Sequence, residues 1–274
     1  ELEEVIFNEG LEVIQKEAFR DCPNLLEVNL PASIKKVGKE AFVCKAFPDK
    51  IQDMNINMTT IPESLGSAIT CPANMHKARC VNVHIDNRNG IFDFVLPCSI
   101  SAVGSAYSNI VNAFNQMADG CGYDSVNLRS PSPDVDEVSG SPYTSSNLRT
   151  DGQPEIGRNL PSIDDARLWN LRYLKTAYMD ASNPIYKYVS VYKTYKKTKN
   201  KDSKEFLIDN QKHVAKAIAL EMEEKDFVDF VKLDFINLQY DADIVECLEA
   251  QNWNIALAYI MEEGKNSSSD AFVI

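Results

Sequence analysis

The N-terminal part of this chain carries the same apolar pattern twice, at an offset of 23 residues. Seven apolar positions recur at that offset, and the pairs are Leu2 and Leu25, Val5 and Val28, Phe7 and Leu30, Leu11 and Ile34, Ile14 and Val37, Ala18 and Ala41, and Phe19 and Phe42. A period of this length is typical of stacked coils, because one short coil cannot shield its own apolar face from water. The repeat therefore predicts a β-solenoid.

Each copy contains the pattern L-x-x-V-x-(L/F), which indicates a short β-strand. Successive side chains of a strand point to opposite faces, so Val5 and Phe7 are predicted to point into the coil. The alternate positions then face outward, and they are Glu4, Ile6, Glu27 and Asn29. These four residues are the candidate binding surface.

Further copies are less regular. Leu96–Gly104 is identical to Leu30–Gly38 at six of nine positions, and Met54 and Ile56 indicate a strand at an offset of 26 from the second copy. Alternating apolar residues on both sides of an Asn-Gly pair predict a β-hairpin over 81–96. A last strand is predicted over 123–128, so the solenoid is expected to span 1–130, with an irregular part at 45–90.

The segment Leu30–Phe42 reads L-P-x-S-I-x-x-V-G-x-x-A-F. Residues 1–44, and to a lesser extent 91–107, thereby resemble the BspA-type leucine-rich repeats. The resemblance implies a solenoid used in protein–protein binding or surface adhesion, and it implies no catalytic residues. Because Glu1 falls inside a repeat, further repeats are expected upstream of it.

The rest of the chain has a different pattern. Proline, glycine and serine in the segment 131–160 predict a linker. Apolar residues then recur at helical spacing, so a helical domain is predicted over 161–264 and a flexible tail over 265–274. Residues 212–263 resemble ankyrin-like helix pairs but lack their T-P-L-H signature. The predicted fold class is α+β, a leucine-rich-repeat β-solenoid followed by a C-terminal helical domain.

Charge limits the partners that the chain can have. The net charge is −12, which argues against a general nucleic-acid binder, and no apolar run is long enough for a membrane span. The segment 187–204 nevertheless carries seven lysines with interleaved tyrosines, which leaves nucleic-acid binding as an alternative. Twelve acids against two lysines over 221–263 could meet a protein with a basic surface, could attract the lysines of 187–204, or could simply be solvated.

Cys71, His76, Cys80 and His84 have the spacing C-x4-H-x3-C-x3-H, which contains residue types that bind zinc or form a nucleophile pair. Their spacing lacks the paired C-x2-4-C of zinc sites, so buried cysteines and surface histidines are the favoured interpretation, and no cofactor is expected. Seven cysteines, an odd number, favour reduced thiols and a cytoplasmic location. A cell-surface or secreted location stays open, because a leader could precede Glu1.

The leading functional hypothesis is a non-enzymatic module for protein–protein interaction or adhesion, which presents the strand positions Glu4, Ile6, Glu27 and Asn29 to another protein. One alternative is an enzyme whose site lies between the two domains and uses the cysteine and histidine residues of 71–84. The other is nucleic-acid binding through a basic helix over 187–204.

Overall fold

The computed structural model describes residues 2–45, 52–73, 79–88, 90–119, 170–238 and 240–269. The chain divides into two compact units, Glu1–Ser182 and Asn183–Ile274. The first unit contains a β-solenoid of about three turns, and the second is helical. The predicted α+β class, with a solenoid followed by helices, is confirmed.

The main sheet of the solenoid has five strands in the order β1 (Glu4–Ile6), β3 (Glu27–Asn29), β5 (Met54–Met58), β7 (Cys80–Asn87) and β8 (Gly90–Pro97). The first four strands are parallel, and β8 is antiparallel to β7. One register row crosses the whole sheet, and its members are Val5, Val28, Ile56, Val83 and Phe94. From Val28 to Phe94 this row is fully buried, so the repeated valine supplies the solenoid core.

A second, smaller sheet lies along the solenoid, formed by β2 (Val13–Ile14) and β4 (Lys36–Val37) and extended by a bridge from Lys36 to Glu63. Backbone hydrogen bonds join the turns that follow, from Phe19 N to Ala41 O and from Phe42 N to Ala68 O. The rings of Phe19 and Phe42 stack with their centroids 5.4 Å apart. Equivalent residues of successive coils thus lie directly on one another, as the 23-residue period predicts.

The serine of the L-P-x-S segment ties two coils together. The Ser33 hydroxyl accepts a hydrogen bond from the backbone N–H of Gly10 at 2.8 Å and donates to the carbonyl oxygen of Leu11 at 2.9 Å. The carboxylate of Glu9 accepts from the backbone N–H groups of Ala32 and Ser33. The repeated serine therefore supplies partners for backbone groups that the strands leave unpaired.

The third coil differs from the expectation. The strand over Met54–Met58 is present, but Val28 pairs with Ile56, so the register offset is 28 residues and not 26. A short helix α1 (Leu65–Ile69) and a two-residue strand β6 (Cys71–Pro72) complete this coil. The extra residues lengthen the connection between β3 and β5, and β5 still pairs in parallel with β3.

The hairpin over 81–96 is confirmed, since β7 and β8 pair from Cys80 and Pro97 to Asn87 and Gly90. The similarity of Leu96–Gly104 to Leu30–Gly38 does not extend to the whole coil. Val103, the counterpart of the buried Val37, is 80% exposed. Because β8 runs against the other strands, the chain leaves the sheet in the opposite direction, and the segment can repeat only part of the earlier path.

Two further elements close the first unit beside the hairpin. Strand β9 (Ser99–Ile100) pairs in parallel with β6, and helix α2 (Ala106–Asp119) packs against α1. Phe114 of α2 is buried and meets the ring of Phe94 edge-to-face at 6.1 Å. The helix thus covers apolar core that the last coils would otherwise expose. The predicted strand over 123–128 and the predicted linker over 131–160 lie outside the described residues.

The second unit consists of α3 (Pro184–Thr198), α4 (Lys201–Asp209), α5 (Gln211–Glu221), α6 (Glu224–Val231), α7 (Ala242–Ala250) and α8 (Asn254–Ser269). Helix α5 packs against α3, α6 and α7, and α8 packs against α6 and α7. Residues 170–182, which the sequence assigns to the helical domain, belong to the first unit. Helix α8 continues to Ser269, into the predicted tail.

The basic segment 187–204 is not one helix. Lys199 has a φ of 52°, in the left-handed region, and ends α3. Asn200 then caps α4, with its side chain accepting a hydrogen bond from the backbone N–H of Ser203 at 2.7 Å. The predicted single basic helix is therefore wrong, and its lysines are divided between two helices. Among the described helices, none has the length and apolar character that a bilayer crossing requires.

Candidate functional site

The outward face of the five-stranded sheet carries two rows of side chains in register. One row begins at Glu4 and consists of the register partners Glu4, Glu27, Asn55, Asn82 and Val95. The other consists of Ile6, Asn29, Asn57, His84 and Asp93. Val95 is buried, so the open part of the first row ends at Asn82. We call these residues, without Val95, the outer sheet face.

The four residues predicted to form a binding surface all lie on the outer sheet face. Glu4 is directly opposite Glu27, and Ile6 is directly opposite Asn29. Glu4, Ile6 and Asn29 are exposed, and Glu27 is half-buried. The alternation of the two strands in the sequence therefore gives the correct orientation of all four side chains.

Hydrogen bonds between neighbouring coils hold the amide side chains of the outer sheet face. The Asn57 side-chain amide donates to the Asn29 side-chain oxygen at 2.9 Å and also to the Glu27 carboxylate. The Asn82 amide donates to the Asn55 side-chain oxygen at 3.0 Å. These bonds fix rotamers that exposed side chains otherwise sample freely, so the centre of the face is flat and ordered.

The N-terminal edge of the outer sheet face has a different character. Glu4 and Glu27 place two carboxylates directly across from each other, an arrangement that repulsion makes unfavourable. Within the described part of the chain, no salt bridge to a cation compensates either carboxylate. Beside them the side chain of Ile6 is 74% exposed. This edge combines negative charge with apolar surface.

At the opposite edge, Nδ1 of His84 lies 3.0 Å from a carboxylate oxygen of Asp93 on the neighbouring strand. His84 faces away from the buried Val83 and Ile85, as predicted. The hairpin contains the signal for this pair, because a connection at 88–89 sets Asn87 against Gly90 and hence His84 against Asp93. No local pattern in the sequence predicts the neighbours of Asn55, Asn57 and Asn82 on this face, because these neighbours depend on the pairing of distant strands.

The proposed ligands of 71–84 are not assembled as a metal site in the described part of the chain. Cys71 and Cys80 are buried on different strands, and His84 is paired with Asp93 on the outer sheet face. His76 lies outside the described residues. No group of three or more histidine, cysteine or acidic residues fit to hold a metal ion occurs among the residues that the structure describes.

The tyrosines of the basic segment pack inside the second unit. Tyr192 is 1% exposed, and its hydroxyl donates to the carbonyl oxygen of Asp226 at 2.9 Å. Its ring meets Phe230 edge-to-face, and Lys196 forms a salt bridge with Asp226 at 2.9 Å. Tyr192 therefore packs in the core of the second unit, and the salt bridge shows that the lysines attract the acidic segment at this position. Nucleic-acid binding by the remaining lysines stays a prediction.

Comparison with known protein families gives a match in the N-terminal part of the chain. The family model described as BspA type leucine rich repeat region (6 copies) matches residues 1–71. Neither the curated proteins nor the solved structures contain a match to this chain. The matched segment runs from β1 to the start of β6 and contains β1, β3 and β5, the first three of the four parallel strands of the main sheet.

Proposed function

We propose that this chain, whose residues 1–71 match the family model of the BspA-type leucine-rich repeats, binds another protein on the outer sheet face. The observation that carries the proposal is the continuous set of in-register, outward side chains across β1, β3, β5, β7 and β8. Leucine-rich repeats are, as a class, protein–protein interaction modules, and stacked repeats present extended binding surfaces.

The order of the outer sheet face supports binding. A partner that docks on freely rotating side chains must pay for their immobilisation, about 0.5–1.5 kcal/mol for each flexible one. Here Asn57 is already held by Asn29 and Glu27, and Asn82 is held by Asn55. The centre of the face therefore loses little conformational entropy when a partner covers it.

The charge of the face indicates the type of partner. Glu4 and Glu27 repel each other across two strands, and a lysine or arginine placed between them would relieve that repulsion. An apolar side chain would find a contact on the exposed Ile6. We therefore expect a protein partner whose contact surface is basic and carries an apolar residue beside the cation. Adhesion is the same interaction with a partner fixed to a surface.

The test compares two four-residue variants of the full chain. The first carries alanine at Glu4, Ile6, Glu27 and Asn29, and the matched control carries alanine at the exposed positions Glu12, Val13, Lys35 and Lys36 of the second sheet. Partners are captured by cross-linking on the wild-type chain, and their affinity for each purified variant is then measured. The first variant should bind at least about tenfold more weakly, and the control should bind like the wild type.

Circular dichroism and the unfolding midpoint show whether each variant keeps its fold. If both variants bind as tightly as the wild type, the partner uses another surface, and the proposed function of this face is wrong. If both lose binding equally while still folded, the outer sheet face has no special role.

A further inference from the structure

Three buried cysteines stand at equal intervals of 27 residues in the first unit, and they are Cys44, Cys71 and Cys98. None of them is in a disulfide, and all three side chains are at most 4% exposed. The interval is close to one coil of the solenoid, so the cysteines occupy neighbouring levels. The stacking of coils thus brings thiols together that lie far apart in the sequence.

Cys71 and Cys98 are in direct contact. The backbone N–H of Cys71 donates to the carbonyl oxygen of Cys98 at 2.9 Å, in the parallel pair formed by β6 and β9. Residues joined in this way are close neighbours, and a disulfide requires that the two Cα atoms lie no more than about 7 Å apart. The two thiols are also hydrogen-bonded to each other.

The surroundings make the two thiols unequal. The hydrogen bond from the Cys98 thiol, with further help from the charges of Lys45 and Arg20, lowers the pKa of Cys71 despite its burial. The same hydrogen bond, together with burial, raises the pKa of Cys98 well above its usual value. Cys71 is therefore the sulfur that forms a thiolate, and Cys98 keeps its proton.

We infer that Cys71 and Cys98 are a redox pair, which a hydroperoxide converts into a disulfide. In the first step the Cys71 thiolate attacks one oxygen of hydrogen peroxide, the O–O bond breaks, and hydroxide leaves, so that Cys71 becomes a sulfenic acid. In the second step the Cys98 sulfur attacks the Cys71 sulfur, the S–O bond breaks, and the proton of Cys98 leaves with the oxygen as water. Overall, two thiols and one peroxide give one disulfide and two waters.

The disulfide would join the third coil to the segment that follows the hairpin. It would close a loop from Cys71 to Cys98 that contains β7 and β8, whose outward residues include Asn82 and His84. Closing this loop restricts the unfolded chain and stabilises the folded one. The pair would thus lock the hairpin end of the solenoid under oxidising conditions. This inference does not depend on the proposed binding function.

The test exposes the folded full chain to hydrogen peroxide, blocks the remaining thiols after denaturation, and maps the peptides by mass spectrometry. The expected product is a peptide pair linked through Cys71 and Cys98, lighter by two hydrogens, which dithiothreitol separates again. In C98S, a reagent specific for sulfenic acids should label Cys71. In the matched control C80S, which alters another buried cysteine of the first unit, the Cys71–Cys98 link should form as in the wild type.

Peptide mapping of the oxidised wild-type chain tests the inference even if a variant fails to fold. A link between Cys44 and Cys98, random pairing of all cysteines, or oxidation without any link would overturn the inference. Labelling of Cys98 and not Cys71 would reverse the assigned roles and would equally contradict it.

Discussion

The guanidinium of Arg79 donates to the carbonyl oxygen of Phe42 at 2.8 Å, although 37 residues separate them in the chain. A second nitrogen of the same group donates to the carbonyl oxygens of Leu25 at 3.0 Å and Cys22 at 3.4 Å. Arg79 is 2% exposed and forms no salt bridge with a carboxylate in the described part of the chain. It thus uses a buried positive charge to satisfy backbone acceptors of two earlier coils.

Replacement of Arg79 by methionine should destabilise the first unit by about 3 kcal/mol, because buried carbonyl oxygens lose their donors. Arg79→Lys should destabilise it less, since an ammonium group can still serve one of the acceptors. Hydrogen exchange of the β3 and β5 amides in increasing urea measures the effect separately from the second unit. The matched control is Arg88→Met at the exposed hairpin tip, which should change stability by no more than about 0.5 kcal/mol. Equal effects at Arg79 and Arg88 would contradict the assigned role.

Val5 and Val28 are the same residue at the same repeat position, yet their environments differ. Val28 is fully buried between two strands, and Val5 is partly exposed on the first one. Val28→Ala should therefore cost about 2 kcal/mol, while Val5→Ala should cost about 1 kcal/mol or less. Urea unfolding of the two variants measures both values. A larger loss from Val5→Ala would show that the first strand is buried in solution.

Gly38, the glycine of the repeat signature, lies against the preceding coil. A Cβ atom at this position would lie 2.2 Å from the backbone nitrogen of Lys16 and 2.6 Å from the carbonyl carbon of Gln15. Gly38→Ala should therefore force the coils apart and destabilise the first unit by about 2 kcal/mol or more. Gly104 is the control, because a Cβ there meets open space and only its φ of 83° opposes alanine. Its replacement should cost about 1 kcal/mol, and a reversed order would contradict this explanation.

Tyr107 should make stability depend on alkaline pH. Burial, with the charges of Glu40 and Cys71 nearby, raises the pKa of Tyr107 to about 12 from 10.0. The unfolded chain then releases its proton at lower pH than the folded chain, so this contribution to stability is complete below pH 10.0 and is lost as pH rises to about 12. Tyr107→Phe should flatten the fall of the urea midpoint between about pH 10 and about pH 12. The control Tyr240→Phe, which removes the hydroxyl of an exposed tyrosine, should leave the slope as in the wild type. An unchanged slope in Tyr107→Phe would contradict the prediction.

The sequence predicted those features that depend on local pattern. The two N-terminal coils, the outward orientation of Glu4 and Asn29, and the hairpin follow from spacing along a single strand or a single turn. The shift of the β5 register could not be predicted, because the residues inserted before Met54 do not carry a repeat. The carbonyl contacts of Arg79 join positions up to 57 residues apart, and only the stacking of coils brings them together. The division of 187–204 into two helices depends on the left-handed backbone of Lys199. Lysine rarely adopts this conformation, and the neighbouring residues give no sequence signal for it.

Because β8 runs antiparallel to β7, the end of the main sheet does not depend on how many parallel strands precede it. The width of the binding surface can therefore change while the end of the sheet stays the same. A parallel array can take another strand wherever its strands share a register, whereas β8 is antiparallel to β7 and ends the sheet. A protein engineer could therefore insert one more unit between β3 and β5 and widen the outer sheet face by one strand. The same terminal hairpin and helix would serve the longer protein without redesign.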